Sequence, residues 1–196
     1  MDSIGEIKRT LRMQYRMDRS QRYIPESWLH ILQAKEMQNS AVIASYLSYE
    51  YEPETKDLNK AILASGKKLV LPRLLPDNDL EWVEWDGSEE TLVNSLAKKK
   101  KIMEPIGRAI TSESVIDAVI VPALHIDREG NRLGQGGGSY DRALRRVNAW
   151  KVGLVGNGEL TSEAIPHEPH DQKVDAAATP NLILRFSPTQ STSLNC

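Results

Sequence analysis

Between Arg132 and Arg142 the chain reads Arg-Leu-Gly-Gln-Gly-Gly-Gly-Ser-Tyr-Asp-Arg, four glycines bracketed by two arginines. Glycine lets backbone come close to a ligand in conformations closed to other residues, and the free amides that open a helix point at negative groups. Arg132 and Arg142 could add bidentate contacts to phosphate oxygens. Taken alone, such a run reads equally well as a flexible turn with solvated arginines. Its setting tips the balance toward an anion site. The spacing has no Gly-Lys-Ser/Thr ending and no acidic residue about 20 positions on, so it is neither a P-loop nor a dinucleotide-binding fingerprint.

Three further groups of side chains could take part. Lys8, Arg9, Arg12, Arg16 and Arg19 form one side of an amphipathic helix over Ile4 to Arg22, whose apolar side is Ile4, Ile7, Leu11 and Tyr15. By itself a basic helix face is more often solvated than occupied. Glu50, Glu52 and Glu54 cluster after an apolar strand, where carboxylates serve either a helix start or a ligand that donates hydrogen bonds. The proline-fixed loop from Ile165 to Asp175 carries His167, Glu168, His170, Asp171 and Asp175. His167 and His170 lack metal-ligand spacing and read as loop hydrogen-bonders.

The elements that must position these groups follow from hydrophobic pattern. Val115 to Leu124 is nearly unbroken apolar and β-branched, the pattern of a strand buried on both faces. A turn at Asp127 to Asn131 follows, and helix-forming residues from Tyr140 to Arg146 place the glycines at a helix start. Other strands are expected at Ala41 to Leu47, Lys68 to Arg73, Leu80 to Trp85 and Trp150 to Val155. In the third of these, a hairpin or edge strand, Trp82 and Trp85 point to opposite faces. Helices are expected over Glu26 to Glu36, over Lys56 to Ser65 with Thr55 as cap, and over Glu89 to Lys101. Lys98 to Lys101 read as a solvated turn.

Alternating strands and helices predict an α/β domain, three layers (αβα) around a largely parallel sheet, with ligands at the carboxyl ends of strands. A single domain is expected over residues 1–186, with 187–196 a polar, frayed tail. The net charge of −2 gives no basic field for nucleic acid. No apolar run approaches a membrane span, and the first residues lack a signal-peptide pattern, so the expectation is a cytoplasmic protein. The single cysteine, Cys196, excludes an intramolecular disulfide and a cysteine-based zinc site.

Four blocks, taken in order, give the chain a family likeness: Lys8-Arg9-Thr10-Leu11-Arg12; Glu52 to Thr55; Val121-Pro122 through Gly130-Asn131-Arg132 to Asp141-Arg142; and Pro166 to Thr179. The chain resembles the 5-formyltetrahydrofolate cyclo-ligase family, also called 5,10-methenyltetrahydrofolate synthetases. The likeness implies a Rossmann-like sheet of the NagB/RpiA/CoA-transferase-like group. It implies an enzyme that uses ATP and Mg²⁺ to convert 5-formyltetrahydrofolate into 5,10-methenyltetrahydrofolate, releasing ADP and phosphate.

Carried over by motif, Lys8, Arg12, Arg132, Gly134, Gln135, Gly136, Gly137, Gly138, Ser139, Tyr140 and Arg142 would bind ATP. Glu52, Ser139 and Tyr140 would contact folate, with Glu50 and Glu54 ranked lower. Asp141 and Asp171 would hold the metal, with Asp175 the alternative to Asp171. Asp141 and Arg142 would act in catalysis. Two departures fall on the folate side. The family commonly carries paired aromatics where this chain has Ser139-Tyr140, and Gly153 to Glu159 lacks the family's aromatic and Gln. A related ATP-dependent enzyme acting on another formamide or carboxamide therefore stays open, as does a non-catalytic ATP- and folate-binding module. The expected partners are the two small molecules, with no nucleic acid or membrane, and a monomer is expected.

Overall fold

The computed structural model describes residues 3–95 and 102–186. Its main sheet has seven strands in the order β11-β10-β9-β6-β1-β2-β3. These are β1 (Val42–Ala44), β2 (Lys68–Leu74), β3 (Leu80–Trp85), β6 (Ala118–Pro122), β9 (Trp150–Leu154), β10 (Ala176–Ala178) and β11 (Ile183–Arg185). The neighbours from β10 to β2 are parallel, and β3 and β11 close the edges antiparallel. Two small antiparallel pairs lie outside it: β4 (Leu92–Asn94) with β5 (Met103–Pro105), and β7 (His125–Ile126) with β8 (Arg132–Leu133).

Alternation along the strands divides the core. Ile43, Leu69, Leu71, Trp85 and Ile120 pack with Ile31, Met37, Leu58 and Ile62 on one face. Ala44, Val70, Trp82, Val119 and Val121 pack with Ala143, Leu144 and Val147 on the other. The first layer is α2 (Lys35–Asn39), a 3-10 turn (Leu29–Gln33) and α3 (Lys56–Ala64); the second is α4 (Ser139–Arg146). This is the expected layered α/β architecture, and Trp82 and Trp85 do face opposite ways.

Several expectations are corrected. The helix over Glu26 to Glu36 is instead the 3-10 turn followed by α2, broken at Ala34, whose extended ψ of 135° no α-helix accommodates. The predicted helix from Glu89 is a 3-10 turn at Glu89–Thr91 that runs into β4, because Leu92, Val93 and Asn94 pair with β5. Lys98 to Lys101 and the tail beyond 186 lie outside the described residues. The strand expected over Ala41 to Leu47 pairs only at Val42–Ala44, and that over Val115 to Leu124 only at Ala118–Pro122. Thr55 sits at the start of α3, but its hydroxyl donates to the Tyr46 carbonyl at 2.6 Å rather than capping a helix amide.

α1 spans Ile4–Arg22, the bounds its periodicity predicts. Its apolar face seats only in part: Ile4 and Ile7 are 43% and 38% exposed and Leu11 and Tyr15 are half-buried, whereas Lys8 and Arg19 are only 5% and 8% exposed. Lys8 and Arg19 point inward, whereas Arg9, Arg16 and Arg22 stay exposed. A capping box between Ser3 and Glu6 fixes its start.

Candidate functional site

The glycine turn follows β8 and opens α4, as the sequence suggests. Gly138 occupies the N-cap in a left-handed conformation, φ 65°, which glycine adopts without a Cβ penalty. A Cβ on Gly134 would stand 2.5 Å from a terminal nitrogen of Arg132, so the turn folds against that guanidinium only because the position is bare.

Arg132 is buried and donates to Asp141 Oδ1 at 2.8 Å. Its guanidinium also stands over the Tyr140 ring, 5.8 Å from the centroid, and that ring meets Trp82 edge-on. The Arg132 Nε and the Tyr140 hydroxyl are buried with no hydrogen-bond partner among the described residues. Burial first, then the nearby Glu52 carboxylate, push the Tyr140 phenol well above its ordinary range, so it stays neutral.

α1 lies across this turn. Arg12 donates from Nε to the Gly134 carbonyl at 2.9 Å. Burial, and then repulsion by Arg16, lower its affinity for a proton, though arginine remains charged. Arg16 grips Gln135 through the side-chain oxygen at 2.8 Å and the backbone carbonyl at 2.7 Å. Lys8 reaches the proline-fixed loop, donating to Glu168 at 3.1 Å and more closely to Asp171. Burial raises the Asp171 proton affinity, but the Lys8 ammonium and the Glu168 amide outweigh it and leave a net lowering.

The same loop reaches α4. The Gln172 amide donates to Asp141 Oδ1 at 3.1 Å, so Asp141 and Asp171 flank a single peptide segment. Each is engaged mainly through one oxygen. Asp141 Oδ2 accepts no hydrogen bond among the described residues, and Asp171 Oδ1 stands 3.8 Å from His170 Nε2. Glu168, His170 and Asp171 also bring ligand atoms within 4.8 Å of one another. Asp175 turns elsewhere: exposed, it accepts the Lys151 amide at 2.8 Å and braces β9.

On the opposite side of the turn, Gln135 Nε2 donates to Glu52 at 3.4 Å and so links the acidic cluster to the glycines. Glu50 and Glu54 bond locally, to the Tyr49 hydroxyl and to Ser48. Ser139 begins α4 beside the turn. Arg142 is exposed and donates to the carbonyls of Asn78 at 2.6 Å and Gly137 at 3.2 Å.

Chain folding thus gathers Lys8, Arg12, Arg132, the glycines, Asp141 and Asp171 on one side and brings Glu52 to the edge. Sequence reasoning missed Arg16 as a partner of Gln135, and it missed Arg19, Glu159, Tyr15 and His125. Tyr15 stacks on His125 with centroids 3.5 Å apart, and Arg19 pairs with Glu159. For Arg16 and Arg19 the available signal was their i, i+4 spacing from Arg12 and Tyr15 on one face of α1; for His125 there was none.

The donor set suits the groups that the resemblance implies. Carboxylate oxygens match a hard divalent cation, and an orphaned guanidinium nitrogen beside a glycine turn matches a phosphate oxygen.

A sequence model of the 5-formyltetrahydrofolate cyclo-ligase family matches residues 6–180. The 5-formyltetrahydrofolate cyclo-ligase of Mus musculus is 31% identical over 157 residues, covering 74% of this chain and 76% of its own. That of Escherichia coli K12 is 32% identical over 148 residues, covering 72% and 79%. The solution structure of the Aquifex aeolicus 5,10-methenyltetrahydrofolate synthetase superposes with a TM-score of 0.72 at 27% identity, over 92% of this chain and 95% of that one. On the strength of these matches, the chain belongs to the 5-formyltetrahydrofolate cyclo-ligase family.

Proposed function

We infer that the protein converts 5-formyltetrahydrofolate into 5,10-methenyltetrahydrofolate at the expense of ATP, which becomes ADP and phosphate. The observation that carries the reading is the convergence of Lys8, Arg12 and Arg132 with two carboxylates on one glycine turn, in a chain of this family. A formamide oxygen is a poor leaving group and must be activated before N10 can close the ring. Its attack on the γ-phosphorus of ATP expels ADP. N10 then adds to the activated formyl carbon, loses its proton, and phosphate departs carrying the formyl oxygen.

No protein nucleophile takes part; the chain positions reactants and neutralises charge. Arg132 and Arg12, with the Gly134 to Gly138 amides and Arg142, hold the triphosphate, and Lys8 exchanges its carboxylate partners for phosphate oxygens. Asp141 and Asp171 are the oxygen donors for Mg²⁺, which when bound would neutralise charge on the transferring phosphate. Glu52, with Ser139 and Tyr140 nearby, addresses the folate. No helix among the described residues is long and apolar enough to cross a membrane; a cytoplasmic, monomeric enzyme is part of the same proposal.

The test is absorbance at the methenyl chromophore, with purified protein, 5-formyltetrahydrofolate, ATP and Mg²⁺ against omission of each. A rise that needs all three is expected. Nucleotide binding without any rise would instead indicate another formamide substrate or loss of turnover.

A further inference from the structure

Apolar contact alone does not fix the rotation of α1. Of the apolar residues Ile4, Ile7, Leu11 and Tyr15 the last two are half-buried, but the first two face solvent, as do Met13 and Met17. Something besides apolar contact sets the helix so that Lys8 and Arg12 face the glycine turn.

That something is at the other end of α1. Arg19 donates from Nε to Glu159 Oε1 at 2.6 Å and from NH2 to Glu159 Oε2 at 2.5 Å. The same NH2 reaches the carbonyls of Ala123 at 2.6 Å and Leu124 at 3.1 Å. The two side chains are only 7% and 12% exposed, and the Gly156 amide anchors Glu159 from behind at 2.6 Å. One turn earlier Tyr15 lies flat on His125, whose Nδ1 stands 2.6 Å from the Leu124 carbonyl.

Leu124 connects this clasp to the candidate site. Its amide donates to the Leu133 carbonyl at 2.8 Å, and the next carbonyl, that of Gly134, accepts from Arg12 at 2.9 Å. Arg12 and Arg19 therefore grip two backbone segments that the hydrogen bond from Leu124 to Leu133 joins. They are seven residues apart, two helical turns or about 10 Å on the same face, and Lys8 follows one turn further on.

We propose that Arg19 and Glu159 are positioning residues: their buried pair fixes the rotation and register of α1, and thereby presents Lys8 and Arg12 to the glycine turn. Neither touches the turn itself. The inference rests on the assignment of Lys8 and Arg12 to nucleotide phosphates. Losing one partner leaves a desolvated charge unpaired, which the helix relieves by turning that end out to water and carrying Arg12 with it.

The experiment combines ADP binding by calorimetry with amide exchange over α1 in Arg19→Met, Arg12→Ala and the double variant. Arg19→Met is expected to weaken ADP about tenfold, the loss of a charge-assisted contact. In the Arg12→Ala background the same change is expected to cost clearly less, about threefold, because only the presentation of Lys8 is then left to lose. Amide exchange should rise over α1 and stay unchanged in the central strands. Glu159→Gln should move both readouts in the same direction, and Arg19→Lys should restore them only in part, since a point charge cannot span the carboxylate and both carbonyls. Additive effects on binding, or unchanged exchange over α1 in both Arg19→Met and Glu159→Gln, would overturn the proposal. If the unaltered protein bound no ADP, the nucleotide assignment would fall, while α1 exchange would still decide whether the clasp orients the helix.

Discussion

Arg132 and Asp141 stand at the two ends of the glycine run and are joined across it at 2.8 Å. The pair closes the turn on itself, and Asp141 passes the connection to the proline-fixed loop through the Gln172 amide. Positions distant in sequence are thus held by a single carboxylate oxygen.

Replacing Arg132 by alanine should cost the fold as well as the activity. The guanidinium is 3% exposed and its partner 18%, and breaking such a pair from one side destabilises by about 3 to 5 kcal/mol. Urea denaturation at neutral pH checks the first effect, and the methenyl absorbance assay the second.

Gly134→Ala tests the turn's geometry without backbone strain, because Gly134 is not in the left-handed region. The added Cβ would meet Arg132 at 2.5 Å and displace it from Asp141. We expect a loss of stability and of nucleotide affinity in the unaltered background, and little further loss in Arg132→Ala. A double-mutant cycle reads this coupling directly.

Arg142 is exposed, and among the described residues its side chain donates to two backbone carbonyls, so its removal should spare stability. If it holds a phosphate, Arg142→Ala raises the ATP KM by the equivalent of about 1.5 to 3 kcal/mol, with the melting temperature nearly unchanged. An unaltered KM and turnover would remove Arg142 from the site.

The acid side of the stability curve should carry the signature of His125. Burial, the largest cause, depresses its proton affinity below the ordinary value of 6.5. The unfolded chain therefore binds a proton that the folded chain resists, and stability falls as pH drops below 6.5. His125→Phe keeps a ring against Tyr15 and abolishes this component. Denaturation curves at pH 7 and pH 5 should show a smaller acid loss in the variant than in the unaltered protein.

Asp171 acts at lower pH. Its net lowering, in which Lys8 and the Glu168 amide outweigh burial, gives stability that is present above the ordinary carboxylate value of 3.8 and lost as pH falls through the folded one. Asp171→Asn should lower stability at neutral pH and flatten the acid limb below pH 4, read by the same denaturation series.

Much of this protein is determined by sequence alone. The apolar run before the glycines gives a strand buried on both faces, the helix-forming residues after Ser139 give α4, and the glycine run between them gives a turn with free amides, because each is a local consequence of side-chain shape and backbone freedom. Alternation at Trp82 and Trp85 likewise assigns each ring to its own side of the sheet. The tertiary structure decided what depends on distant partners. Ala34 breaks the second predicted helix, and β5 pulls Leu92 and Val93 into a strand, neither visible from local propensity. Above all, α1 reads by pattern alone as a basic amphipathic helix whose cations are more often solvated, and only the family likeness puts Lys8 and Arg12 at a ligand. The helix takes its observed rotation because Glu159, Asp171 and the carbonyls of Ala123, Leu124 and Gly134 supply enough buried acceptors for Lys8, Arg12 and Arg19 to outweigh the exposure of Ile4 and Ile7. Those acceptors lie more than 100 residues away in the chain, where no periodicity can announce them.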